Sequence, residues 1–313
     1  MNFDIGWRQK RWTPVNLKKI PLNSLMNKDQ YWQVLRSEYG YRSQAERSFL
    51  AKYVSGLPLS FVYYVKIIAT LTHASFPARR GTLDDEKWAK YAHRILQIVE
   101  SVGGKVQIAG LEGLALCGGP VVFIGNHMSL LETLMLAGMV LPFTRINFVI
   151  KEELRHYPIV GHIMKGLKLI AVSRQNARED FKVVMRAGCD FLAAGGSIFI
   201  FPQATRSVEF DAQAFNTMGV KVAAKAGVPV VPVAIKTDFQ GNGRLIKDMG
   251  PIDPKKTLHF KFGEPMPVEG NGRRTHERIV AFIAENLKSW GATVKGLPEI
   301  GSPALAGGIQ QAE

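Results

Sequence analysis

His127 and Glu132 are the residues whose types and spacing suit proton-transfer chemistry. They lie in the stretch Pro120 to Gly138, PVVFIGNHMSLLETLMLAG. A neutral imidazole takes a proton near neutral pH, and a carboxylate beside it fixes its tautomer. Spacing by itself selects little: with seven histidines and 26 acids in 313 residues, His259 and Glu264 repeat the same separation by chance. The setting separates the two pairs. LHFKF, around His259, alternates like a strand, where an odd spacing sends two side chains to opposite faces. On a continuous helix five residues stand about 140° apart, so the pairing works only if the histidine lies just before the helix that carries the acid. Val121 to Ile124 reads as a buried strand, and Leu130, Leu131, Leu134 and Met135 recur at helical spacing, which puts His127 in the turn between them. Ser129-Leu-Leu-Glu132 is also a capping box, in which the glutamate reaches back to the cap residue. Both readings of Glu132 stand on the sequence.

Strand and helix patterns alternate on either side of this turn. An acid-rich start at TLDDEKW opens a helix that runs to Val102, and KVQIAG alternates as a strand. Strands are expected at Asn147 to Ile150, Leu169 to Val172, Ser197 to Phe201 and residues 257 to 262, with a loop-rich KEELRHYPIVGHIMKGLK after the first. Helices are expected from Ala177 to about Ala194, Phe215 to Ala226 and 275 to 290. The run VPVVPVAI at 228 to 235 carries two prolines, which places it at an edge or a bend. Arg174 ends one strand, and Thr205 and Arg206 follow another. In an open α/β sheet the carboxyl ends of strands are where ligands bind, and arginine suits phosphate through its paired donors.

Forty basic against 26 acidic residues leave a net charge of +14, which favours polyanions or an anionic bilayer as partners. Cys117 and Cys189 lie far apart with no metal-ligand spacing, so neither a disulfide framework nor a metal site is indicated. No G-x-S-x-G elbow, P-loop or G-x-G-x-x-G after a strand appears. Residues 1 to 50 interleave Trp7, Trp12, Tyr31, Trp32, Tyr39 and Tyr41 with cations, which suits a lipid interface or an extension packed on the domain. Leu57 to Phe76 is the most apolar long segment, interrupted by Lys66 and His73. It reads as an interfacial helix or a buried one, short of a clean span.

The blocks NHMSLLE, LKLIAVSR, FPQATRS and VPVVPVAI, in that order, resemble the four blocks of the PlsC-like lysophospholipid and glycerol-phosphate acyltransferases. The resemblance runs from about residue 100 to 265. Glu132 stands where that family has aspartate, as in the related lipid A acyltransferases, and Gln203-Ala204 replace Glu-Gly. The resemblance implies catalysis by His127 and Glu132, and an acceptor-phosphate site at Arg174, Gln203, Thr205 and Arg206. It implies no cofactor; acyl-CoA or acyl carrier protein would be the co-substrate.

The expected fold is α/β: a mostly parallel central sheet flanked by helices, with a helical N-terminal membrane-contacting element. The expected units are a basic, aromatic membrane-associated element at 1–80, an acyltransferase domain at 81–292 and a mobile tail at 293–313. The expected function is acyl transfer to a lysophospholipid-type hydroxyl, lysophosphatidate first, at the cytoplasmic face of a membrane as a peripheral or monotopic protein. A catalytically silent lipid- or partner-binding relative, or an acyltransferase for a non-glycerophosphate lyso-lipid, is the alternative. Nucleic acid is not an expected partner.

Overall fold

The computed structural model describes residues 26–43, 58–203, 205–241, 243 and 249–297. In chain order the elements are α1 (Lys28–Glu38), β1 (Tyr41–Arg42), α2 (Leu59–Arg79), α3 (Asp85–Ser101), β2 (Lys105–Ala109), α4 (Glu112–Cys117), β3 (Val122–Gly125) and α5 (Leu131–Val140). Then come β4 (Ile146–Lys151), a 3-10 turn (Glu152–His156), α6 (Val160–Gly166), β5 (Ile170–Val172), α7 (Ala177–Ala193), β6 (Ser197–Ile200) and β7 (Phe210–Asp211). The remainder is α8 (Met218–Ala226), β8 (Val230–Lys236), β9 (Thr257–Phe262), α9 (Arg273–Ser289) and β10 (Val294–Lys295).

The main sheet has the order β1-β2-β9-β8-β3-β6-β4-β5. From β8 to β5 every neighbour is parallel, while β9 runs antiparallel to β8 and β1 antiparallel to β2. Parallel strands with helices on both faces must be apolar on both, and β3 and β6 are buried at every position. Successive side chains then feed two cores. Phe123, Phe199 and Val231 face α3 and α5, whereas Val122, Ile124 and Ile198 face α7, α8 and α9. The sheet is mostly parallel and flanked by helices, as the strand and helix alternation implies.

Two local expectations are corrected first. The proline-bearing run is not an edge: β8 lies between β9 and β3. Val233 pairs with Phe262 but Val230 with Met266, so the facing chain carries one extra residue there, a bulge. Pro232 sits at that slip, where its carbonyl accepts from Gly263 N at 2.8 Å and its missing donor breaks no regular ladder. The stretch expected as loop-rich holds the 3-10 turn and α6.

The N-terminal unit is not separate at residue 80. Tyr31 and Leu35 of α1 belong to the main core, and β1 extends the sheet. Trp32 donates its indole N–H to Gly138 O at 3.2 Å, with Lys28 over its ring. Tyr31 and Tyr41 are therefore core residues and not lipid contacts. Trp7 and Trp12 lie outside the described residues. α2 is buried on one side and exposed on the other: Tyr63, Ile67 and Ala74 are buried, while Phe61, Val65, Ile68 and Phe76 are exposed. Among the described residues no helix is long and apolar enough to cross a membrane. In the expected tail, β10 pairs with β7, and residues 298–313 lie outside the described ones.

Candidate active site

β3 delivers the site. Gly125, its last residue, has the ring of Phe199 and Val233 O so close that a Cβ would lie 2.9 and 3.0 Å from them, so the strand end packs tightly into the sheet. Asn126 then bolts the turn to β8: its side chain donates to Ile235 O at 2.7 Å and accepts from Ile235 N at 2.8 Å. His127 follows in the turn, and α5 begins four residues on.

His127 Nδ1 lies 2.9 Å from Glu132 Oε1, and its ring stacks on Phe201 with centroids 4.3 Å apart. Glu132 is fully buried. Its Oε1 also accepts from Met128 N at 2.5 Å and Ser129 N at 2.7 Å. Its Oε2 accepts from Ser129 Oγ at 2.9 Å and Thr237 Oγ1 at 2.7 Å. Burial pushes this carboxyl up, but the bonds from His127 and Thr237 and the backbone outweigh it, and the group lies below its ordinary value. An ionised carboxylate only accepts, so Nδ1 carries the hydrogen and Nε2 is left as the basic nitrogen. The two readings of Glu132 coexist. It reaches back to the Ser129 amide as a capping glutamate does, and the same oxygen holds His127. Ser129 Oγ accepts from Leu131 N at 3.1 Å in place of the usual third amide.

His127 stands on the wall of a cavity of about 580 Å³, together with Arg174, Gln203, Thr205 and Arg206. All the residues expected at the site gather there except Glu132, which stands behind His127. The cavity is also lined by the apolar side chains of Leu71, Trp88, Leu134, Ile150, Ile163 and Met164. Gln203 is turned to the protein: its Oε1 accepts from His127 N at 2.6 Å, and Ser207 N donates to His127 O at 3.0 Å. Gln203 and Ser207 thus grip the histidine backbone on both sides.

Arg174 sits at φ 59°, a left-handed conformation that is disfavoured for a residue with a Cβ and costs backbone strain unless it is held. Asp180, in the first turn of α7, holds it: Oδ2 accepts from Arg174 N at 2.7 Å, and Oδ1 from Ser173 N at 2.8 Å. Asp180 and Thr237 escape sequence reasoning. An acid near a helix start looks like ordinary dipole compensation, and a threonine after a strand carries no chemical signal. Among the described residues no group of three or more His, Cys, Asp or Glu could hold a metal ion.

A buried carboxylate–histidine pair at a strand end, on the wall of a cavity lined by both arginines and apolar side chains, is an arrangement suited to acyl transfer. Residues 105–236 match the family model described as Acyltransferase. The chain is 27% identical over 206 residues to the 1-acyl-sn-glycerol-3-phosphate acyltransferase of Pseudomonas aeruginosa, covering 64% of this chain and 76% of that one. It is 29% identical over 198 residues to the chloroplastic 1-acyl-sn-glycerol-3-phosphate acyltransferase LPAT1 of Arabidopsis thaliana, covering 62% of this chain but 51% of that longer one. Its fold resembles the crystal structure of the 1-acyl-sn-glycerophosphate (LPA) acyltransferase PlsC from Thermotoga maritima, with a TM-score of 0.53 and 23% identity over 74% of this chain and 95% of that one. The matched residues and these relatives support a PlsC-like O-acyltransferase family for the chain.

Proposed function

We propose that the chain transfers a fatty acyl group from acyl-CoA or acyl carrier protein to the free hydroxyl of lysophosphatidate. The observation that carries the reading is His127 on the cavity wall with Nδ1 tied to a buried, ionised Glu132. Nε2 takes the proton of the acceptor hydroxyl as its oxygen attacks the thioester carbonyl. The tetrahedral intermediate collapses with loss of the thiolate, which recovers the proton from His127. Glu132 keeps the tautomer and stabilises the imidazolium, as a carboxylate does beside a catalytic histidine. Arg174, Thr205 and Arg206 hold the acceptor phosphate, with Arg forks as the specific donors. The apolar side chains of the cavity take the acyl chain, a division of labour usual for such pockets.

The enzyme works at the bilayer surface, as a peripheral protein on its cytoplasmic face. The exposed residues of α2, Phe61, Val65, Ile68 and Phe76, recur at helical spacing and support this reading, as does the net charge of +14. The test is turnover of a labelled acyl thioester with lysophosphatidate. His127→Ala should lower kcat about a hundredfold to ten-thousandfold while the melting curve stays that of a folded protein. Wild-type protein that binds lysolipid without turning over any acyl thioester would make the chain a silent binding relative.

A further inference from the structure

The carboxylate behind His127 is held from a second element that the reaction itself does not touch. Thr237 follows the last residue of β8 and is fully buried. Its Oγ1 lies 2.7 Å from Glu132 Oε2 and 2.9 Å from Ser129 Oγ, and Ser129 Oγ lies 2.9 Å from the same Oε2. Three oxygens thus form a triangle with two hydrogens to share. The carboxylate oxygen has none, so it must receive. The shortest edge runs from Thr237, so the threonine hydrogen goes to Glu132 whichever oxygen Ser129 serves. The Thr237 amide N–H is spent on Met128 Sδ at 3.2 Å, which fixes the backbone of the threonine against the histidine turn.

Resting on the proposed acyl transfer by His127, we propose that Thr237 is a positioning residue: its hydroxyl fixes Glu132 from behind and so sets the orientation and proton affinity of the His127 ring facing the cavity. A carboxylate pivots about its own C–C bond. The three donors on Oε1 constrain one end, and the Thr237 and Ser129 hydroxyls constrain the other. The Thr237 bond is also among the influences that hold the Glu132 carboxyl down. Each donor withdraws part of the negative charge that the imidazolium would otherwise feel. Removing one hydroxyl therefore leaves more charge for the imidazolium, and the base stays protonated to higher pH. The remaining groups on the cavity wall, Lys151, Arg174, Asp180, Arg206 and the phenols Tyr91 and Tyr157, are left in place by that change. Lys236, next to Thr237, is paired with Asp238 at 2.7 Å and does not face the carboxylate.

The experiment compares wild type, Thr237→Val, Thr237→Ser and His127→Ala, using a labelled acyl thioester with lysophosphatidate across the range in which histidine titrates. The His127 ring is also followed by NMR titration, which needs no turnover. Thr237→Val is expected to lower kcat/KM about tenfold with the lysophosphatidate KM within about twofold, because the lost interaction acts on the base and not on the bound acceptor. The acid limb of its pH profile and the ring titration should both move to higher pH by a few tenths of a unit or more. Thr237→Ser should restore both. An inactive His127→Ala beside a Thr237→Val variant with wild-type turnover and pH profile, whatever its melting temperature, overturns the inference and leaves the proposed function standing. A His127→Ala variant that still turns over removes the proposed function and this inference together. If the valine variant does not fold, Thr237→Ala removes the same hydroxyl and is read in the same way.

Discussion

Replacing Glu132 by glutamine separates what the carboxylate does as a cap from what it does as a charge. Glutamine has the same reach. Its oxygen can accept from Met128 N, Ser129 N and His127 Nδ1, the three donors now on Oε1. Its NH₂ then meets the hydroxyls of Ser129 and Thr237, which can rotate to accept. The cap and the tautomer survive, so the fold should survive. What disappears is the negative charge beside a ring that becomes cationic in the transition state.

Two estimates bracket the loss. A hydrogen bond to a charged group exceeds a neutral one by about 1 to 1.5 kcal/mol. A full ion pair about 4 Å apart in a medium of effective dielectric near 20 is worth about 4 kcal/mol. At about 1.4 kcal/mol per tenfold, kcat/KM should fall between about tenfold and a thousandfold. The assay is initial-rate transfer to lysophosphatidate as a function of pH, with a thermal melt of each protein. The variant should lose rate throughout, with its acid limb displaced to lower pH because the imidazolium has lost its counter-charge. Turnover within about threefold of wild type with an unmoved pH profile would refute the reasoning and leave Glu132 a cap only.

Other expectations follow from the same structure. Gln203→Glu keeps an acceptor for His127 N but adds charge beside Arg174 and Arg206, so relative preference among lyso-acceptors should change about threefold to tenfold; an unchanged ranking in an acceptor panel shows that this side chain does not read the acceptor. Deleting α2 is not a test of membrane contact, because Tyr63 and Ile67 are core residues. Phe61→Ser with Ile68→Ser instead removes only exposed apolar groups and should weaken sedimentation with anionic liposomes at least about tenfold, with the melting temperature unchanged. His259 stacks on Trp290 and is pushed down to about 4 by burial, then by Lys236 and Arg42, against the pull of Asp238. The unfolded chain takes up this proton near pH 6.5 and the folded chain only near 4. Stability is therefore full above about 6.5 and falls as pH drops through that window, and His259→Gln should flatten the fall in melting temperature.

Much of this fold is legible where a local pattern and a packing requirement coincide. The strand at 257–262 is read to the residue because its alternation is the alternation of burial along β9. The helix from Ala177 is delimited by Asn176, whose side chain caps it, and by Gly195-Gly196 beyond its end. Pairing is a different matter. Nothing local in β9 says that it runs parallel to β2 on one side and antiparallel to β8 on the other. The two prolines of the 228–235 run argue locally against a sheet interior, and the residue that admits Pro232 there is an extra one in the distant 263–266 segment. Missing donors are judged at the level of the ladder, not of the strand.

The site divides along the same line. His127 and Glu132 are legible because the turn before a helix is local geometry. The question of cap or charge partner could not be decided locally because it is not an alternative: a carboxylate has two oxygens and about four acceptor directions, and here five donors surround it. Three arrive from the turn itself and the Ser129 hydroxyl from the same turn, so only the fifth, from Thr237, must come from another strand. That donor requires an arm long enough to pass the amides of Met128 and Ser129 and still reach the end of β8. A glutamate supplies that length; an aspartate is one methylene, about 1.5 Å, shorter. The glutamate at 132 and the hydroxyl at 237 are thus two halves of one arrangement. Only the first half is visible without the sheet that brings them together.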